Sequence, residues 1–239
     1  MHEVKIPDEV VARIRARRGE VHLYDALAAE RSALLVVDMQ NNFVAPGMPS
    51  EVAAARAIVP NVNRLAGAMR EAGGTVVWIQ MTFSAQSGDD WSVFFDGFYT
   101  PDIKAAVLAS LAEDGPGHAL WPELEVVEGD WRVRKDRFSA FIQGASELEQ
   151  RLRRARIDTL VVVGTLTNVC CDSTARDAMM RNFKVVMVGD ANAAHSDADH
   201  NASLAAFLQV FGDVMTSDEV IARLRPAPAL AAKEPAAAS

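Results

Sequence analysis

Cysteine is nearly absent: two occur in 239 residues, and they are neighbours, Cys170 and Cys171. Adjacent thiols cannot staple distant parts of a chain, and their spacing fits neither a zinc site nor a paired redox motif. A disulfide scaffold is excluded, and a reducing, cytoplasmic setting is expected. No apolar run reaches the roughly 18–20 residues that a membrane-crossing helix requires. The opening stretch, MHEVKIPDEVVARIRARRGE, mixes charges where a secretory leader would be apolar. Histidine is scarce, and none of the five lies between His22 and His118. Basic charge is in deficit as well. Against 32 Asp and Glu stand 24 Lys and Arg, so the formal charge of −8 offers no general pull toward nucleic acid or a membrane surface.

The sequence is rich in apolar residues, at 50%, which is enough to fill a sizeable core. Short runs without polar alternation mark strands buried on both faces: Ala33–Asp38, Gly74–Met81, Thr159–Gly164 and Lys184–Gly189. Arg132–Lys135 and Asp213–Met215 complete a sheet of about six strands. Amphipathic helices alternate with them at Val52–Ala72, Ser146–Ala155, Thr167–Met180 and Ala202–Phe211. This alternation predicts right-handed crossovers and an α/β fold, a three-layer αβα sandwich on a mostly parallel, Rossmann-like sheet. Residues 1–22 read as a helical lead-in, 23–224 as the domain, and 225–239 as a disordered Pro/Ala-rich tail. The long, weakly periodic segment Phe83–Pro122 reads as an insertion that lines a binding site.

Ligands of open α/β sheets bind beyond the carboxyl ends of the strands. There the sequence places Asp38, Lys135 and Cys170. Each has a plainer reading alone: a turn-capping carboxylate, a solvated lysine, a small buried thiol. Together they supply a base, a cation and a nucleophile, the set that acyl transfer requires. A thiol at a helix N-terminus is further expected to have a lowered pKa. Cys171, one position on, reads as core. His195, Asp197, Asp199 and His200 cluster in DANAAHSDADH, where a polar loop capped by Ser196 or Asp199 is preferred to a metal site.

Three ordered motifs, ALLVVDMQNNF, RKDRFSAF and VVVGTLTNVCCDSTARDA, resemble those of the isochorismatase-like cysteine hydrolase superfamily, over about Ser32 to Val220. The resemblance implies a catalytic triad of Asp38, Lys135 and Cys170. It also implies a non-proline cis peptide between Thr165 and Leu166, and an oxyanion hole made by the amides of Leu166 and Cys170. Metal-dependent nicotinamidases of this superfamily carry an Asp and two His soon after the first strand. VAPGMPSEVAAARAI offers no such set, so neither metal nor cofactor is expected. Retention of the cysteine points to amide cleavage, with ureidoacrylate amidohydrolases the nearest likeness and biuret or triuret hydrolases next. N-carbamoylsarcosine, maleamate and nicotinamide amidases, and a non-catalytic binding protein, are the alternatives. Kin of this type are often dimers or tetramers.

Proximity nominates the substrate contacts. Phe43 and Asn41 follow Asp38 closely; Gln80 ends the second strand; Asn168 adjoins the nucleophile. Trp91 and Phe138 are candidate walls, and Gln209 is a contact from a late helix.

Overall fold

The computed structural model describes residues 1–226. Its elements, in chain order, begin with α1 (Asp8–Arg18), β1 (Leu27–Ala28), β2 (Ser32–Val37), α2 (Asn41–Val44), α3 (Ala55–Glu71) and β3 (Thr75–Met81). Next come three helices, α4 (Ser87–Asp90), α5 (Ser92–Phe98) and α6 (Pro101–Ser110), then β4 (Trp131–Lys135), α7 (Leu148–Arg154) and β5 (Thr159–Thr165). A π-helical turn, Thr167–Cys171, leads into α8 (Asp172–Met180). The chain continues with β6 (Lys184–Ala193), α9 (Asp197–Val210), β7 (Asp213–Met215), α10 (Ser217–Arg223) and β8 (Leu224–Arg225).

Six strands form one sheet in the order β4-β3-β2-β5-β6-β7, and every neighbouring pair is parallel. Every residue of β2 and of β5 is buried, because helices cover both faces. α3 shows how a helix earns its place: Ile58, Val62, Leu65, Ala66 and Met69 recur at helical spacing and are all buried against the sheet. Two apolar clusters result, one on each side, and strand alternation sorts the residues between them. Ile79 and Met81 belong to one, Val76 and Trp78 to the other.

The topology creates the site. From β2 the chain builds outward through β3 to β4, then crosses back to lay β5 on the other side of β2. Such a switch point opens a crevice at the strands' carboxyl ends. There β2 and β5 run close together, with Val37 paired to Gly164. A Cβ on Gly164 would lie 2.1 Å from the carbonyl oxygen of Val37, and its φ of +115° also favours glycine.

Several boundaries differ from the sequence reading; α9, for one, begins at Asp197, five residues before the expected start. Asp38 steps out of the strand, with φ +52°, an uncommon conformation for a residue with a Cβ. β6 runs past Gly189 to Ala193, where the Asn192 amide bridges the register irregularity by donating to the carbonyls of Val162 and Val188. Arg225 lies in β8, which pairs with β1, while the remainder of the expected tail, from residue 227, falls outside the described residues. The lead-in helix α1 packs on the domain, burying Val10 and Ile14 in the same cluster as Leu204 and Phe207. Among the described residues no helix is long and apolar enough to cross a membrane.

Candidate active site

Asp38 and Lys135 come from the ends of β2 and β4 and meet in the crevice. The Lys135 Nζ donates to Asp38 Oδ2 at 2.7 Å, and neither side chain is reached by solvent. Lys135 also donates to the Arg137 carbonyl at 3.1 Å. Two charges removed from water in this way persist only as a pair, since either alone would be strongly disfavoured. Burial raises the Asp38 carboxyl above its usual range, with the ammonium pulling against it. Burial works against the Lys135 charge, yet Asp38 and Cys170 leave its pKa raised.

Cys170 completes the group from the far side of the switch point. Its thiol faces both the Asp38 carboxyl and the Lys135 ammonium. Burial pushes the thiol up; Lys135 opposes this and Asp38 adds to it. The lowered pKa expected for a helix N-terminus is therefore overturned. Desolvation inside the π-helical turn outweighs the ammonium and leaves the thiol's pKa raised. Asp38 Oδ1 is buried with no hydrogen-bond partner among the described residues, which leaves it open to accept the thiol proton. The Thr165–Leu166 peptide is cis. The carbonyl of Leu166 accepts from the amides of Val169 and Cys171, which wraps the turn around this residue.

Cys170 opens onto a cavity of about 450 Å³. Among the expected contacts, Phe43, Phe138, Asn168 and Leu166 line it. Trp91 stands one layer back, its ring 4.4 Å from that of Phe94 and 4.7 Å from that of Phe138. Asn41 does not line the cavity, and its Oδ1 is buried without a partner among the described residues.

Two further nominations lie away from the cavity. Gln80 precedes Met81, and pleating sends it to the opposite side of the sheet from Lys135. There it donates to the His118 carbonyl at 2.9 Å and lines a different cavity. Gln209 lies on the outer side of α9, accepting from Arg13 of α1 at 2.8 Å.

Other lining residues were not named as contacts in the sequence, although the Phe83–Pro122 segment was expected to line a site and His195 was weighed for a metal. Phe94, Phe98, Tyr99 and His195 line the cavity. Gln40 is buried and exchanges hydrogen bonds with the backbone of Met81, so it fixes the end of β3 beneath the site. Its position two residues past the first strand's aspartate was the available signal. The DANAAHSDADH groups are each engaged separately: Asp197 with His2, Asp199 with Ser196, and His200 with Thr167. Ser196 caps α9. Burial lowers the His200 pKa to about 4, which keeps this ring neutral.

Relatives share this architecture. A ureidoacrylate amidohydrolase of Klebsiella pneumoniae is 32% identical over 230 residues, covering 87% of this chain and 94% of its own. The crystal structure of a cysteine hydrolase from Pseudomonas syringae superposes with a TM-score of 0.74 at 32% identity, covering 82% of this chain and 93% of that one. An N-carbamoylsarcosine amidase from Thermoplasma acidophilum superposes with a TM-score of 0.64 at 28% identity, over 79% and 97% of the two chains. The pattern of the isochorismatase domain matches residues 32–219. This chain belongs to the isochorismatase-like family of cysteine hydrolases.

Proposed function

We propose that the protein is a metal-independent amidohydrolase that cleaves the C–N bond of a small amide or ureide through a thioester on Cys170. The observation that carries this reading is the buried carboxylate–ammonium pair facing a protonated thiol. A thiol held neutral by its surroundings needs a base, and Asp38 has one oxygen unengaged among the described residues. Asp38 takes the proton, the sulfur attacks the amide carbon, and negative charge gathers on the former carbonyl oxygen. The amides of Leu166 and Cys170 receive that oxyanion; such donors are each worth roughly 10²–10³ in rate. Asp38 then protonates the departing nitrogen, and water activated by the same carboxylate cleaves the thioester. Lys135 acts throughout as the fixed counter-charge that favours ionised Asp38.

The relatives' activities, on a ureidoacrylate in one case and on N-carbamoylsarcosine in another, support a carbon–nitrogen bond as the target. The test is ammonia release from ureidoacrylate, biuret, N-carbamoylsarcosine, nicotinamide and maleamate, with and without EDTA. Release that persists in EDTA and disappears in Cys170→Ala is expected. Undiminished turnover by Cys170→Ala would end the proposal.

A further inference from the structure

We infer that the substrate's acyl part is uncharged, apolar and planar, and that a free carboxylate is selected against. This rests on the amidohydrolase reading above and narrows it.

The first observation is an inventory of charge. Among the described residues no lysine or arginine lines the cavity that holds Cys170. The nearest cations are all committed elsewhere. Lys135 is sealed beneath the floor and bound to Asp38 and to the Arg137 carbonyl. The Arg137 guanidinium donates to the carbonyl of Asp136 and packs 5.1 Å from the centre of the Trp91 ring, behind the wall. Arg56 donates to the Val44 carbonyl and pairs with Glu51 at 2.8 Å. Glu51 is itself on the lining, its charge balanced by that Arg56 contact. The imidazole of His195 also lies on the lining and is solvent-exposed. An anion entering this space would lose its water and gain no unpaired guanidinium or ammonium in return.

The second observation concerns the walls, which are aromatic. Phe94 meets Phe138 at 5.0 Å and Tyr99 at 5.1 Å between ring centres, each edge to face, with Phe43 and Phe98 on the same cavity. Surfaces of this kind favour flat apolar groups through burial and offset stacking. At about 450 Å³ the space admits a ring as well as the amide. Asn168, on the lining beside the nucleophile, is suited to orient an amide without adding charge.

Matched pairs test the inference, because they hold the scissile amide constant and change only the charge. Maleamate would be compared with its methyl ester, and terephthalamate with its methyl ester and with benzamide. Ammonia release by the wild type gives kcat/KM, and calorimetric titration of Cys170→Ala gives affinity without turnover. The uncharged member of each pair is expected to lead by about tenfold or more in both measurements. Phe98 is 75% exposed, so Phe98→Arg adds a cation at the cavity without disturbing the core. That variant should raise kcat/KM for the acids relative to the esters. Acids equal to or better than their esters, or no binding of any uncharged amide, would overturn the inference. The two readings separate cleanly. Ammonia from the acids alone would sink the pocket assignment and leave the amidohydrolase intact. Preferential binding of the esters without any ammonia would do the reverse.

Discussion

Two cavities flank the ends of β3 and β4, and the smaller one holds the candidate active site. The larger, about 610 Å³, is lined by Gln80, Glu113, Arg132, Arg134 and Glu147. The smaller takes the alternate residue of β3, Met81, together with Cys170. One side presents many charges, each largely in water. Its Arg134–Glu113 pair has side chains more than half exposed, and such pairs contribute about 0–1 kcal/mol. Beneath the other lie the Asp38 carboxylate and the Lys135 ammonium, both wholly buried and facing a thiol. Volume and charge count therefore do not locate reactivity. Desolvated coupling does, because each group there alters the proton affinity of the next.

Several substitutions would break or sharpen that contrast. Cys170→Ala should abolish turnover by roughly 10⁴–10⁶-fold with unchanged circular dichroism; a similar loss from Glu113→Gln would erase the distinction between the cavities. Asp38→Asn and Lys135→Met each strand the partner's charge in the interior. Each should destabilise the fold by about 3–5 kcal/mol in urea titrations, besides inactivating it; wild-type stability in both would mean that the pair is not desolvated.

Acidity offers a third probe. Asp38 must be ionised to accept the thiol proton, and its pKa is raised. The acid limb of kcat/KM should therefore lie above the ordinary carboxylate value of about 4. The Lys135 pKa is raised above that of an ordinary lysine, so its contribution to stability is fully present below about 10.4 and is lost as pH climbs through the higher folded value. A descending limb near the free-thiol value of about 8.5 would contradict the resting state described for Cys170. The smallest effect belongs to the larger cavity: Arg134→Ala should leave kcat/KM within about twofold, since its side chain is exposed and remote from the thiol.

Much of this was legible before any coordinates. β-branched runs announce four strands of the sheet, with β4 and β7 read from weaker signals, and the residues just beyond two of the strong runs are Asp38 and the turn bearing Cys170. Gln80 shows where such reading fails. A strand's two faces are told apart only once its register against Lys135 is known, and shifting attention by one residue moves from one cavity to the other. The segment that builds the aromatic wall was legible, but its particular rings were not, for a different reason. Phe94, Phe98 and Tyr99 sit on and just after a seven-residue helix with no strong periodicity, and only tertiary packing against Phe138 turns them into a surface. The thiol's resting state was misjudged because dipoles are visible in a sequence, whereas the loss of hydration is not.

Gly164 carries a consequence for how such an enzyme can change. β5 slides past Val37, the residue before Asp38, at a point with no room for even one methyl. The approach of the two strands that carry Asp38 and lead to Cys170 is thereby written into the main chain, upstream of every rotamer. The aromatic lining can be exchanged, and the menu of acyl groups with it, while the reacting atoms keep their separation.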